Sequence, residues 1–190
     1  DIQYSALIRS FTMLQLAVLM RVHQRDKVYT HSECQFFSQE IIRYVKLEQD
    51  LRGYDETVGF IHTIAHAADT LHQIVKAKET TEQTYRLIFD LINMKFDISS
   101  IQYTNDEDER MINVVETMIR SNKLDQEFLL YWIDLVSDYH RPKTYPEVYN
   151  NNRNIKSLLR SLYFRFINDE EYNFLTEKIK TVLLDKVKLR

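Results

Sequence analysis

Two histidines and an aspartate near the middle of the chain are spaced for joint chemistry. His62, His66 and Asp69 follow one another at intervals of four and three residues. On an α-helix of 3.6 residues per turn, this spacing places all three side chains on one face. Two imidazoles and a carboxylate are a ligand set that zinc, iron and manganese accept. The spacing therefore suggests a site for a divalent metal ion.

The motif differs from that of helical zinc proteases. Their HExxH pattern has a glutamate directly after the first histidine as general base, and Thr63 occupies that position here. Zinc-protease chemistry is therefore not supported, although a 2-His-1-carboxylate set would leave open metal positions. The alternative is a polar stripe that hydrogen-bonds neighbouring helices or lines a ligand-binding groove. In a groove, Gln73 would extend the stripe, and Gly59 would permit close approach of another backbone or a ligand.

An apolar stripe in the same segment predicts how its helix is buried. The stripe comprises Ile61, Ile64, Ala65, Ala68, Leu71 and Val75. At about 100° per residue, the histidine stripe lies roughly 140° from the apolar stripe. We therefore expect His62 and His66 to lie away from the core face.

Basic residues are further candidates for ligand contacts. Arg52 could hold a carboxylate or phosphate in bidentate fashion; the alternative is a salt bridge to Asp50 or Asp55. A later helix carries basic residues at helical spacing that could contact phosphates, although a solvated face would have the same pattern. These residues are Arg153, Lys156 and Arg160. In the groove hypothesis, the lining residues are His62, His66, Asp69, Arg153 and Arg160.

The elements that must position these residues are helices. Apolar residues recur with a period near 3.6 along most of the chain, and no segment alternates with period two for long. The pattern predicts helices over residues 5–24, 32–49, 58–77, 81–95, 106–121, 125–139, 153–168 and 170–188. Taken in pairs, they begin at intervals of roughly fifty residues, close to the period of HEAT and armadillo repeats. We predict an all-α stack of about four antiparallel hairpins, with a compact helical bundle as the alternative.

Composition excludes several classes of protein. The 190 residues include two glycines, two prolines and one cysteine, too few for glycine-rich nucleotide loops, a disulfide framework or a multi-cysteine zinc site. A net charge of −3 gives no global attraction to nucleic acid, so a nucleic-acid partner is disfavoured. The longest unbroken apolar run of the first helix is residues 16–20, shorter than a membrane span requires. We expect no membrane partner and a single domain over residues 1–190, as the C-terminal part of a longer chain.

The central segment resembles a known bacterial family. Arg52-Gly53-Tyr54 and the stretch from Gly59 to Asp69 are similar to the RGY…GWxHAxAHxAD signature of the family called domain of unknown function 2785, with Phe60 in place of its tryptophan. Further similar segments are Arg9-Ser10-Phe11, Asp108-Glu109-Arg110, Asn154 and Leu159-Arg160-Ser161-Leu162-Tyr163. The resemblance implies an all-helical, cytoplasmic bacterial protein and supplies no activity.

Three functional hypotheses follow from the residues. The first is a binding or scaffold module that holds a protein or small-molecule ligand in the groove. The second is a metal-dependent enzyme, hydrolase-like, with His62, His66 and Asp69 as metal ligands. The third is a helical-repeat protein that binds nucleic acid, which the charge disfavours.

Overall fold

The protein is all-α over the part of the chain that the computed structural model describes, residues 2–138 and 144–185. Its secondary structure is 74% helical over eight helices. The helices are α1 (Ile2–Asp26), α2 (His31–Leu47), α3 (Thr63–Lys76), α4 (Glu82–Phe96), α5 (Glu107–Arg120), α6 (Gln126–Ser137), α7 (Glu147–Phe166) and α8 (Asn173–Asp185). A short hairpin of β1 (Tyr54–Asp55) and β2 (Gly59–Phe60) precedes α3, and a single 3-10 turn, Glu170–Tyr172, precedes α8.

The helices form two layers. Each odd-numbered helix packs on the next, from α1 through α3 and α5 to α7, and the even-numbered helices pack in the same order. Short links join α1 to α2, α3 to α4 and α5 to α6, whereas longer links join α2 to α3 and α4 to α5. This arrangement agrees with the predicted stack of helical hairpins.

The core lies between the two layers. Its largest fully buried side chains are Trp132, Tyr85, Phe89, Phe96 and Phe166. The rings of Trp132 and Phe89 are 4.6 Å apart in an edge-to-face arrangement, a geometry that aromatic pairs favour. The predicted apolar stripe is buried as expected: all six of its residues are buried, five of them on α3 and Ile61 just before it.

Most helix boundaries agree with the sequence prediction within about two residues, but four differ more. α1 begins at Ile2, three residues earlier than predicted. α3 begins at Thr63 rather than at residue 58, because residues 54–60 form the hairpin. α7 begins six residues earlier than predicted, at Glu147. The predicted eighth helix begins instead as the 3-10 turn. The predicted ends of the sixth and eighth helices, Tyr139 and Lys188, lie outside the described residues.

α1 is the first helix of the odd layer. The segment Tyr4–Asp26 is long and apolar enough to cross a membrane by length and composition. It packs along α3 and buries Ala6, Met13, Ala17 and Met20. Its side chains Ser10 and Phe11 reach the candidate site of α3.

Candidate functional site

The hairpin fixes His62 at the start of α3. The backbone N–H groups of Ile61 and His62 both donate to the carbonyl of Gly53, at 2.9 and 3.0 Å. His62 is the N-cap residue and has a left-handed backbone, with φ 54°. Such a conformation is uncommon for a residue other than glycine, and it occurs preferentially at functional sites. His62 therefore precedes the helix rather than lying on its side.

The two glycines have different roles in this hairpin. A Cβ on Gly53 would overlap the side chains of Asn105 and Glu107, at the start of α5. Gly59 has φ +80° and no protein atom within 4 Å of where its Cβ would lie. Another part of the chain therefore approaches Gly53 closely and not Gly59, and Gly59 supplies the positive φ of the turn. A ligand at Gly59 stays a prediction.

His66 is buried in the first turns of α3. Only 5% of its surface is exposed, so the expectation that it lies off the core face is wrong. The reason is the layer arrangement: α1 and α5 pack on either side of α3, and ten of the 14 residues of α3 are buried. The exposed side that a two-sided wheel assigns to His66 is covered by α1.

Ser10 of α1 fixes the tautomer of His66. The Ser10 hydroxyl donates to the carbonyl of Ile61, and its oxygen lies 2.8 Å from Nδ1 of His66. Because the hydroxyl has one hydrogen, its oxygen must accept from the Nδ1–H of His66. The Nε2 atom of His66 is left with a lone pair. Ser10 is fully buried and its hydrogen is engaged, so its role is to orient the imidazole.

Aromatic rings surround the two imidazoles. The Phe60 ring stacks on His62 at 4.6 Å and 5°, and Tyr54 contacts the edge of Phe60 at 5.1 Å. On the other side, Phe11 meets His66 edge-on at 5.1 Å. Tyr54, Phe60 and Phe11 are 50%, 55% and 44% exposed. We call these five residues, Phe11, Tyr54, Phe60, His62 and His66, the histidine–aromatic surface.

The imidazoles have unused hydrogen-bonding capacity. Nδ1 of His62 is buried without a hydrogen-bond partner. The two imidazole centroids are 5.5 Å apart. Buried polar atoms in native proteins are nearly always paired, so an orphan of this kind requires an explanation.

The carboxylate of Asp69 pairs with an arginine and not with the two histidines. Its carboxylate accepts from Arg110 of α5 at 2.6 Å, in a half-buried ion pair. Among the described residues, the ligand atoms of His62, His66 and Asp69 do not form a cluster of the size that a metal ion requires. The ion pair engages the carboxylate that the 2-His-1-carboxylate hypothesis needs.

Burial and charge keep both imidazoles neutral. Burial lowers the pKa of His62, and the nearby Arg110 guanidinium lowers it further. Burial lowers the pKa of His66 as well, followed by the proximity of His62. Both causes disfavour the protonated ring. The surface therefore offers lone pairs rather than positive charge at neutral pH.

Two other predicted site residues are engaged with partners within the protein. Arg52 forms salt bridges with Asp50 and Asp55 at 2.6 and 2.5 Å, the alternative to ligand binding. The backbone carbonyl and side-chain oxygen of Gln73 accept from Gln24 of α1, at 2.7 and 3.3 Å.

The basic stripe of α7 is a separate feature. Arg153 and Arg160 are exposed, and Arg153 lies over the ring of Tyr149 at 5.2 Å. Burial lowers the pKa of Lys156, and the two arginines lower it further. The three side chains therefore form one positive patch. The contacts of His62 and His66 come instead from α1 and the hairpin, while α5 pairs with Asp69.

Five clefts among the described residues have linings that include no member of the histidine–aromatic surface. One cleft of about 530 Å³ is lined by Arg9, Glu48, Asp50, Arg52 and five further residues. Arg9 and Glu48 form a bidentate ion pair across it, at 2.7 and 2.8 Å. None of these clefts brings the imidazoles together with Arg153 or Arg160, so the predicted groove stays a prediction.

A second cluster of metal-ligand types lies at the other end of α1. The ligand atoms of His23, Cys34 and Glu79 all lie within 4.8 Å of one another. Nε2 of His23 is 3.2 Å from the sulfur of Cys34 and 3.8 Å from Glu79. However, Nδ1 of His23 accepts from the backbone N–H of Tyr29 at 3.0 Å. A neutral His23 must therefore carry its hydrogen on Nε2, which leaves this nitrogen without a lone pair for a metal.

Comparison with known protein families identifies one match. The model for the family described as protein of unknown function (DUF2785) matches residues 5–164. The chain belongs to this family. No curated protein and no solved structure matches the chain. The DUF2785 match covers α1, the hairpin, α3, α5 and nearly all of α7, and so includes every element that builds the histidine–aromatic surface.

Reasoning from spacing missed three residues of this DUF2785 site. Ser10, Phe11 and Arg110 contact the histidine segment from 56, 55 and 41 residues away along the chain. Residue type gave no signal for them. The available signal was the family resemblance, whose flanking segments Arg9-Ser10-Phe11 and Asp108-Glu109-Arg110 contain all three. In the fold, these segments converge on the central one.

Proposed function

We propose that the protein is a binding module that holds a planar ring group on the histidine–aromatic surface. The proposal is based on the conformation and environment of His62. Its backbone is left-handed, its ring stacks on an exposed phenylalanine, and its Nδ1 is buried without a partner. Strain and an unpaired polar atom each cost free energy, and sites that bind ligands are where such costs are retained.

The chemistry of the surface favours a flat ligand with a hydrogen-bonding edge. Exposed rings at Tyr54 and Phe60 offer faces for stacking, and stacking tolerates many kinds of planar ring. The neighbouring imidazoles are neutral and can pair with N–H or O–H groups. A nucleobase, another nitrogen heterocycle or the ring of an aromatic side chain meets these requirements. Net charge near zero argues against a long polyanionic ligand.

The test is a titration of the 15N-labelled protein with a panel of ring compounds: a purine nucleoside, a pyrimidine nucleoside, indole and phenol. We expect backbone amide shifts at residues 53–66. Replacing Phe60 by Ala should weaken binding by about 5- to 150-fold, because one stacked ring contributes about 1–3 kcal/mol. The matched control is Phe164→Ala, which removes an exposed phenylalanine of α7.

The titration has results that support the proposal and results that refute it. Amide shifts in this segment that disappear with Phe60→Ala and persist with Phe164→Ala would support the proposal. Absence of shifts with every compound, or equal binding by the two variants, would refute it.

A further inference from the structure

The two imidazoles of the histidine–aromatic surface are separated by about the distance found between two histidines that bind one metal ion. Two imidazoles bound to one tetrahedral zinc ion have ring centroids about 5 Å apart, given zinc–nitrogen bonds of about 2.0 Å. The centroids of His62 and His66 are 5.5 Å apart, with 54° between the ring planes. The separation of the two rings is therefore compatible with one shared ion.

The hydrogen bonds of His66 also suit a metal ligand. Histidines that bind metals usually donate their second ring N–H to a neighbouring oxygen, which fixes the ring and the free nitrogen. His66 donates its Nδ1–H to Ser10, and Ser10 in turn donates to the Ile61 carbonyl. The lone pair of Nε2 is thus fixed in place by two buried neighbours. His62 adds the orphan Nδ1 atom.

The cluster of His23, Cys34 and Glu79 provides the contrast. It has more ligand types within reach, but the Tyr29 N–H occupies the nitrogen that would have to carry the hydrogen in a metal complex. Metal binding there would place two N–H groups against each other. The tautomer therefore favours the His62 and His66 pair over the cluster with more ligand types.

We propose that His62 and His66 together bind one zinc-like divalent ion. Asp69 stays with Arg110, so the remaining coordination positions of the ion are open to water or to a donor atom of a ligand. Imidazole nitrogens select zinc, nickel or copper over magnesium and calcium, which prefer oxygen ligands. The proposed metal site lies on the same surface as the proposed ring-binding site, but metal binding does not depend on stacking by Phe60.

The test is calorimetric titration of zinc into the metal-free full chain, purified without a histidine tag. We expect one equivalent of zinc to bind and magnesium not to bind. His62→Gln and His66→Gln should each weaken zinc binding by more than about tenfold, and Ser10→Ala should weaken it by about tenfold through the tautomer of His66. Circular dichroism of each variant checks that it is folded. His62→Gln is the safer variant, since His62 is only half-buried.

Two control variants make the result decisive. Cys34→Ser removes the thiol of the other cluster, and Phe60→Leu removes the stacking ring. Zinc binding that survives both and is lost in the histidine variants supports the inference. Zinc binding that is lost in Cys34→Ser, or that is unchanged in both histidine variants, overturns it. Zinc binding that persists while every ring compound fails would refute the proposed function alone.

Discussion

At the scale of single residues, the site depends on polar groups buried without full compensation. His62 has an orphan ring nitrogen, and Glu107 at the start of α5 has an orphan carboxylate oxygen. Glu107 is 1% exposed, and its other oxygen accepts from the backbone N–H of Asn105 at 2.7 Å. Both residues adjoin the hairpin, and both carry a cost that apolar packing elsewhere must offset.

Glu107 gives a prediction for the effect of pH on stability. Burial raises the pKa of Glu107 above its ordinary value of 4.5, and the neighbouring charges of Asp108 and Asp106 add to the effect. Its contribution to stability is therefore fully present below pH 4.5 and is lost as the pH rises through its folded pKa. Glu107→Gln removes this loss. We expect the free energy of unfolding of the variant, relative to the parent, to increase between pH 4 and pH 8.

Urea unfolding at a series of pH values measures that difference. The matched control is Glu109→Gln, an exposed carboxylate in the same turn, for which the difference should change little with pH. A flat pH dependence for Glu107→Gln would mean that the carboxylate is solvated in the folded protein.

At the scale of elements, the hairpin is the feature that connects the layers to the site. The two-residue ladder of β1 and β2 is too short to be stable alone. It is held by the Gly53 carbonyl, which accepts from Ile61 and His62, and by the packing of Gly53 on α5. The conformation of His62 therefore depends on a tertiary contact made by a glycine.

The two glycines of the hairpin should respond differently to alanine. Gly53→Ala forces a methyl group into Asn105 and Glu107 and should lower the free energy of unfolding by about 2–3 kcal/mol. Gly59→Ala meets no protein atom but strains a positive φ, and should cost about 1 kcal/mol. Chemical denaturation of both variants tests the order. If Gly59→Ala lowers the free energy of unfolding more than Gly53→Ala does, the packing of Gly53 on α5 is not what stabilises the hairpin.

At the scale of the whole molecule, stacking of the odd-numbered helices brings the site together. α1, α3 and α5 lie side by side, and each contributes a side chain to the histidine segment or its ion pair: Ser10 and Phe11, His66 and Asp69, and Arg110. The family match extends over all three helices. The site thus belongs to the stack rather than to one motif.

The stack also explains which predictions from sequence are confirmed. Helices were predictable because a helix in a two-layer stack buries one stripe, which leaves a 3.6-residue period. The start of α3 was not predictable, because the hairpin over residues 54–60 is stabilised by its contact with α5 and not by a sequence pattern of its own. The burial of His66 was also missed, since a helical wheel does not reveal that α1 covers a second face of α3. Ser10 and Arg110 were missed as site residues, although the segments of the family resemblance contain both. The predicted cytoplasmic location, the single-domain boundary and the nucleic-acid hypothesis stay predictions.

The central claim is that His62 contacts a ligand, and the nitrogen spectrum of the imidazoles tests it most directly. In protein with 15N-labelled histidine, we predict that His66 is the Nδ1–H tautomer and that His62 is neutral at pH 7.5. Saturation with a ring compound that binds should shift the Nδ1 signal of His62. The ring nitrogens of His72, which pairs with Thr117 at 3.0 Å, should not move. A bound ring compound that leaves both nitrogens of His62 unshifted would contradict the account.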